Sequence, residues 1–173
     1  DIACWDLIGK KAKLPLYKVF GGYRDKVPCY ITCAYYRDNK SNSELEDEIL
    51  KLVDQGHKAF KIKVGALSLV EDMKRVEIVR DAIGYDKELM IDVNRGWNLK
   101  TAIEGCTLLK QFKPTWIEEP VRWADDRREL KILSRKTNIP ISGGESENTI
   151  FGCRSLIEEN AIQILQFDCT MFG

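Results

Sequence analysis

Short apolar runs alternate with longer segments whose apolar residues recur at helical spacing, from residue 28 to residue 167. The short runs predict strands over 28–34 (PCYITCA), 58–63 (KAFKIK), 88–93 (ELMIDV), 114–118 (PTWIE), 139–142 (IPIS) and 162–167 (IQILQF). The longer ones predict helices over 42–55, 68–83, 99–111, 125–136 and 149–159. Ser41, Asn98 and Asn148 precede three of these windows and are suitable caps, because a short side-chain oxygen can accept a bond from an orphan N–H of the first turn. Strand starts recur roughly every 23 to 30 residues and no Asn-Gly or Asp-Gly hairpin turn occurs. Such βαβα alternation implies an α/β fold with a parallel sheet and right-handed crossovers.

Two arrangements satisfy that order. A doubly wound sheet expects a glycine-rich phosphate loop after its first strand, and ITCAYYRDNKSN has none. A (β/α)8 TIM barrel expects polar residues at the carboxyl end of strand after strand, which is what the chain has. A closed barrel usually takes ~250 residues, so the expectation is a partial barrel of about six βα units. The opening DIACWDLIGKKAKLPLYKVFGG reads as a helix already under way at residue 1, and FDCTMFG stops just after a strand. Both suggest a piece of a longer protein.

Composition narrows the partners more than the fold. The chain has 173 residues, is 44% hydrophobic and 31% charged, and carries formal net charge zero, which offers no basic surface for nucleic acid or a membrane. No apolar run approaches the ~20 residues that span a bilayer. The six cysteines (Cys4, Cys29, Cys33, Cys106, Cys153, Cys169) form no C-x-x-C pair and have one histidine for company. That argues against a zinc site and fits free thiols in a reducing, cytoplasmic setting. Cys29 and Cys33 are expected to share a strand face. RWADDRRELKILSRK reads as the charged solvent face of a helix with Leu130, Ile132 and Leu133 inward, and Trp97 and Trp116 as packing residues.

The chemistry begins at FKIKVG, residues 60–65. Strand alternation puts Lys61 and Lys63 on one face and Phe60, Ile62 and Val64 on the other. Two ammonium groups on one inward face lower each other's proton affinity. Later strands end in acids: MIDVN turns Asp92 and Asn94 inward, and WIEEP turns Glu118 inward with Glu119 one step round. ISGGES brings Glu145 to the rim behind two glycines, and LQFDCT offers Asp168. One such acid is an ordinary cap or solvated residue, whereas lysines and acids at successive strand ends describe a shared site. Three carboxylates facing one point repel each other unless a cation lies among them. An all-oxygen set with open positions suits Mg2+. Lys63, nearer the strand's carboxyl end, is the expected general base, its pKa drawn from ~10.4 toward the ~7–8 useful at neutral pH. Lys61, one pleat deeper, is expected to depress its neighbour's pKa. Asn94 either touches substrate or satisfies a strand-end backbone group.

FKIKVG, MIDVN, WIEEP and ISGGE resemble the mandelate racemase branch of the enolase superfamily, in which a lysine or histidine base works beside Mg2+. The separations of 29 residues from Lys63 to Asp92, 26 to Glu118, 27 to Glu145 and 23 to Asp168 are similar to that family's, and the resemblance covers essentially the whole chain. It implies that residues 1–22 end an N-terminal capping domain and that 23–173 are barrel strands 1 to 6. It makes Asp92, Glu118 and Glu145 the Mg2+ ligands, Lys63 the base and Lys61 its partner. Asp168 matches the aspartate that orients a histidine on the seventh strand, which would lie beyond Gly173. The lone His57 precedes the second strand, at the end of the barrel away from the site. Asp168 and Glu145 favour the mandelate racemase-like branch over the muconate cycloisomerase branch.

The implied reaction is Mg2+-dependent removal of the proton α to a carboxylate, giving an enediolate, with dehydration of a sugar acid as the expected outcome. The partner is then a small carboxylate substrate, and the full-length protein is expected to be a homo-oligomer. The alternatives are a racemase, epimerase or cycloisomerase of the same superfamily, or a non-catalytic, metal-binding fragment.

Overall fold

The computed structural model describes residues 1–123 and 126–171. Among them six strands form one all-parallel sheet: β1 (Ile31–Cys33), β2 (Ala59–Lys63), β3 (Glu88–Asp92), β4 (Trp116–Glu118), β5 (Ile141–Gly143) and β6 (Ile164–Leu165). Their spatial order is their chain order. A doubly wound sheet reverses direction at a switch point, so sequential winding excludes it. Tyr30, just before β1, and Gln166, just after β6, meet across the sheet, with Gln166 Nε2 donating to the Tyr30 hydroxyl at 3.2 Å. In a flat sheet five strand spacings would separate them by about 24 Å. The sheet is therefore curled, as three-quarters of a barrel must be.

Two helices, α1 (Ile2–Ala12) and α2 (Leu16–Val19), precede the sheet; α3 (Asn42–Asp54), α4 (Leu69–Ile83), α5 (Leu99–Leu109), α6 (Asp126–Ser134) and α7 (Ile150–Glu158) follow β1 to β5 in turn. Successive helices touch, α3 with α4, α4 with α5 and α5 with α6, so they cover one face. Phe60, Ile62, Leu89, Ile91, Ile117 and Ile141 form that face. They bury against Leu45, Ile49, Val76, Val79, Ala102, Leu109 and Leu133 of the helices. Burying each large aliphatic or aromatic side chain contributes about 1.5–3 kcal/mol, so the core lies between sheet and helices and leaves the inner face to other residues. No helix of the described residues is long and apolar enough to cross a membrane.

Ser41 caps α3 in a reciprocal capping box with Glu44, and Ser68 does the same for α4 with Glu71. Asn98 caps α5 through the Thr101 N–H. The cap expected at Asn148 falls one residue later, on Thr149, which accepts from the Gly152 N–H. The expected helix start at Asp125 lies outside the described residues, as do the last two residues of the expected barrel segment. β1 and β6, the edge strands, are shorter than their apolar runs, as is β4. Cys29 consequently lies outside β1 and is exposed while Cys33 is buried, so the two do not share a strand face. All six cysteines are free, and burial pushes the Cys33 thiol up to about 12. Trp97 is buried with its ring against Gly105.

Candidate active site

Register decides what faces the inside of the curled sheet. Lys63 pairs with Asp92 and Asp92 with Glu118; Glu118 in turn pairs with Ser142. Register partners in a parallel sheet point to the same face, so these four side chains form one row. Thr32, Lys61, Met90 and Trp116 form the row beneath. Asp92 and Glu118 are at most 1% exposed, and Lys61 is 6% exposed. Lys61 Nζ donates to both Glu118 oxygens, at 2.8 and 3.0 Å, and lies 3.5 Å from Asp92. Lys63 Nζ donates to Asp92 Oδ2 at 2.6 Å. Lys61 also sits 5.2 Å from the centre of the Tyr30 ring.

The lysine pair is thus arranged differently from the simple like-charge expectation. Burial works against the Lys61 ammonium, but Glu118 and Asp92 outweigh it and raise the group's pKa. Two acids within 3.5 Å of its Nζ outweigh the cost of burying the charge. Glu118 is lifted in turn, first by burial and then by the charge of Asp92, against the pull of Lys61 and a hydrogen bond from Gln166. Lys61 faces two carboxylates, and burial, with Asp92 adding to it, is what makes Glu118 costly to ionise.

Around this row the rim is shaped by unusual backbone. Asn94 and Arg95 are both left-handed (φ 46° and 62°), and the Asn94 N–H donates to Asp92 Oδ1 at 3.0 Å. Asn94 therefore lies past β3, where its amide steadies Asp92 and its side chain borders a cavity. That cavity, about 500 Å³, opens at the carboxyl ends of β1 to β3 and is lined by Tyr35, Tyr36, Lys63, Gly65, Asn94 and Gly96. Buried Asp72 holds one wall, accepting from the Tyr36 hydroxyl and, at 2.7 Å, from the Gly65 N–H. Gly65 has φ +101°, and a Cβ there would lie 2.9 Å from the Val93 carbonyl oxygen and Cγ1. Gly65→Ala is expected to lose about 1–3 kcal/mol of stability, as residues forced into such backbone regions do. A urea titration checks this as a lower midpoint at unchanged slope.

Glu145 stands partly exposed, two residues past β5, and its charge acts on Glu119, raising that buried carboxyl after the larger effect of burial. Among the described residues no three His, Cys, Asp or Glu side chains already surround one point. The lysine ammonium groups provide the positive charge on Asp92 and Glu118 instead. Asp168 lies three residues past β6, apart from this row, and is held low by the Thr170 hydroxyl and N–H, at 2.5 and 2.8 Å. It borders a different cavity, with Thr149, Cys153 and Leu165. His57 precedes β2, at the end of that strand opposite Lys63.

Three groups were missed by the sequence reading. Gln166 accepts from Ser142 Oγ at 2.8 Å and joins Tyr30 to the acid row; period-two spacing from Ile164 was the available signal. Asp72 sits in a helix and carried no signal. Asp126 and Arg127 are not part of a solvated helix face: they join Arg95 and Glu147 in ion pairs at the rim.

A sequence-family model described as Enolase C-terminal domain-like matches residues 44–173. Arabinonate dehydratase of Saccharolobus solfataricus is 34% identical over 174 residues, covering 100% of this chain and 46% of that protein. A racemase from Streptomyces coelicolor A3(2), solved with bound magnesium, has a TM-score of 0.90 at 32% identity, over 99% of this chain and 47% of its own. L-Talarate dehydratase from Polaromonas sp. JS666, solved with Mg and L-glucarate, has a TM-score of 0.86 at 32% identity, over 98% of this chain and 47% of its own. The chain spans a little under half the length of each.

Proposed function

The chain belongs to the enolase C-terminal domain-like family, and from that premise we propose that it is the catalytic barrel segment of an enzyme that removes the proton α to a carboxylate. The observation that carries this is the ordered row Lys63–Asp92–Glu118: an amine at the carboxyl end of β2, 2.6 Å from a buried acid on β3, which is in register with a second buried acid on β4. The substrate class we assign is a sugar acid, which would lose its β-hydroxyl as water.

Asp92, Glu118 and Glu145 are proposed as the residues that would hold magnesium. The donor chemistry fits, although Glu145 does not already converge with the other two: the set is all-oxygen, two of its members are buried, and both draw ammonium groups as counter-charge. Two solved relatives contain that ion. When bound, the cation would supply positive charge against the negative charge growing on the substrate carboxylate. The chain's own residues do the rest. Lys63 Nζ, at the carboxyl end of β2 and bordering the cavity, is the group proposed to take the α-proton. Lys61, kept charged by Glu118, offers an ammonium N–H to the substrate oxygen. Asn94, at the cavity edge, contacts the substrate hydroxyls, while Asp168 orients a second proton carrier. Residues 1–22 are assigned to the end of a capping domain.

Racemisation or epimerisation is the second reading, because a racemase is among the relatives of comparable identity. Incubating the protein with Mg2+ and a panel of aldonates and aldarates in D2O separates the two. Dehydration yields a 2-keto-3-deoxy acid, visible by NMR; racemisation incorporates deuterium at the α-carbon without loss of water. Absence of both across the panel would overturn the proposal.

A further inference from the structure

The loops after β3, β4 and β5 carry acids that repel one another, and the fold has to hold those loops in place. Arg95 lies where they meet. Its Nη2 is 2.5 Å from Glu119 Oε1, its Nη1 is 3.3 Å from Asp126, and its guanidinium lies over the Trp123 ring at 4.7 Å. Asp126 pairs with Arg127 at 3.3 Å, and Arg127 reaches Glu147 at 2.7 Å and Ser155 of α7 at 3.1 Å. The chain of pairs Glu119–Arg95–Asp126–Arg127–Glu147 therefore touches all three loops. Arg95 is three residues past Asp92, Glu119 adjoins Glu118, and Glu147 is two past Glu145.

Backbone bonds lock the same points. The Arg95 N–H donates to the Glu119 carbonyl at 2.8 Å. The Glu147 N–H closes a turn on the Gly144 carbonyl at 3.0 Å, with Glu145 inside it. Arg95 and Glu119 are both left-handed non-glycine residues (φ 62° and 42°), a conformation that persists only where surroundings impose it. The side chains of Arg95, Glu119 and Asp126 are 14%, 4% and 14% exposed. The cavity between them and Glu147 is only about 10 Å³, at the lower limit for one water. These charges therefore meet each other rather than solvent.

We infer that Arg95 is a positioning residue: it clasps the loops of Asp92, Glu118 and Glu145 so that their carboxylates stay at one rim, within reach of a shared divalent cation. This rests on the metal reading proposed above. The test measures two quantities on the purified protein, Mg2+ affinity by calorimetry and stability by urea midpoint. The double variant Arg95→Met/Glu119→Gln removes opposite charges together and leaves no lone buried ion between them. It is expected to bind Mg2+ at least about ten-fold more weakly, the usual effect of losing a partner that orients ligands, with a midpoint close to the parent's. Arg95→Lys, which keeps the charge but lacks the planar guanidinium whose two Nη atoms reach separate acids, is expected to weaken Mg2+ in the same direction and stay folded. Mg2+ affinity within about two-fold of the parent in Arg95→Lys would overturn the clasp, whatever the double variant does. If the parent itself binds no Mg2+, the metal reading fails first and the clasp with it.

Discussion

Lys63→Ala is expected to lower α-proton exchange by at least about 10²–10⁴-fold, the range that a positioned general base contributes, while the protein remains folded. The stability part follows from the surroundings. The Lys63 side chain is 19% exposed, at the cavity mouth, and Asp92 keeps Lys61 at 3.5 Å and the Asn94 N–H at 3.0 Å when Lys63 is removed. No buried charge is stranded. Lys63→Arg sharpens the test, because arginine restores the ion pair with Asp92 yet cannot shed its proton at neutral pH. Both variants should fold, retain Mg2+ affinity close to the parent's and fail to exchange deuterium into the substrate. Exchange at the parental rate in Lys63→Arg would move the base to another residue and end the assignment.

Glu118→Gln is expected to be the most destabilising single change in the site. Lys61 is 6% exposed, and Glu118 accepts both of its short hydrogen bonds. Removing one partner of a buried pair typically costs about 3–5 kcal/mol, because an uncompensated charge is left behind; Asp92 at 3.5 Å softens that figure. Lys61→Met/Glu118→Gln should recover most of the loss, since the stranded charge goes with its partner. The pH dependence has a definite sign. The folded-state pKa of Lys61 is raised, so the stability this amine contributes is fully present below its unfolded value of about 10.4 and is lost as pH rises through the folded value. Urea midpoints of the parent should fall on the alkaline side, and Glu118→Gln should show a weaker fall. A double variant no more stable than Glu118→Gln would mean that the pair does not carry the cost.

Much of this protein is legible in its sequence because the signals are local. Period-two alternation in FKIKV separates Lys61 and Lys63 from Phe60 and Ile62, and the structure separates them in the same way. Capping oxygens at Ser41 and Asn98 mark helix starts within a residue. Six apolar runs alternating with amphipathic windows become six parallel strands wound in chain order. Strand lengths are less legible, at β1, β4 and β6 alike, because an apolar run records burial whereas a strand ends where its ladder bonds end.

The sequence by itself determined the order of elements, the face each strand residue takes and the residue types that reach the rim, because these follow from backbone geometry and short-range bonding. Only the tertiary structure decided which charges meet. Lys61 is held as an ammonium because β3 and β4 bring Asp92 and Glu118 into register with β2. Glu119 turns to Arg95, and Asp126 and Arg127 leave the solvent face, because loops distant in sequence converge at one rim. Coulomb interactions fall off with distance and grow with burial. Neither quantity is written in a chain until it has folded.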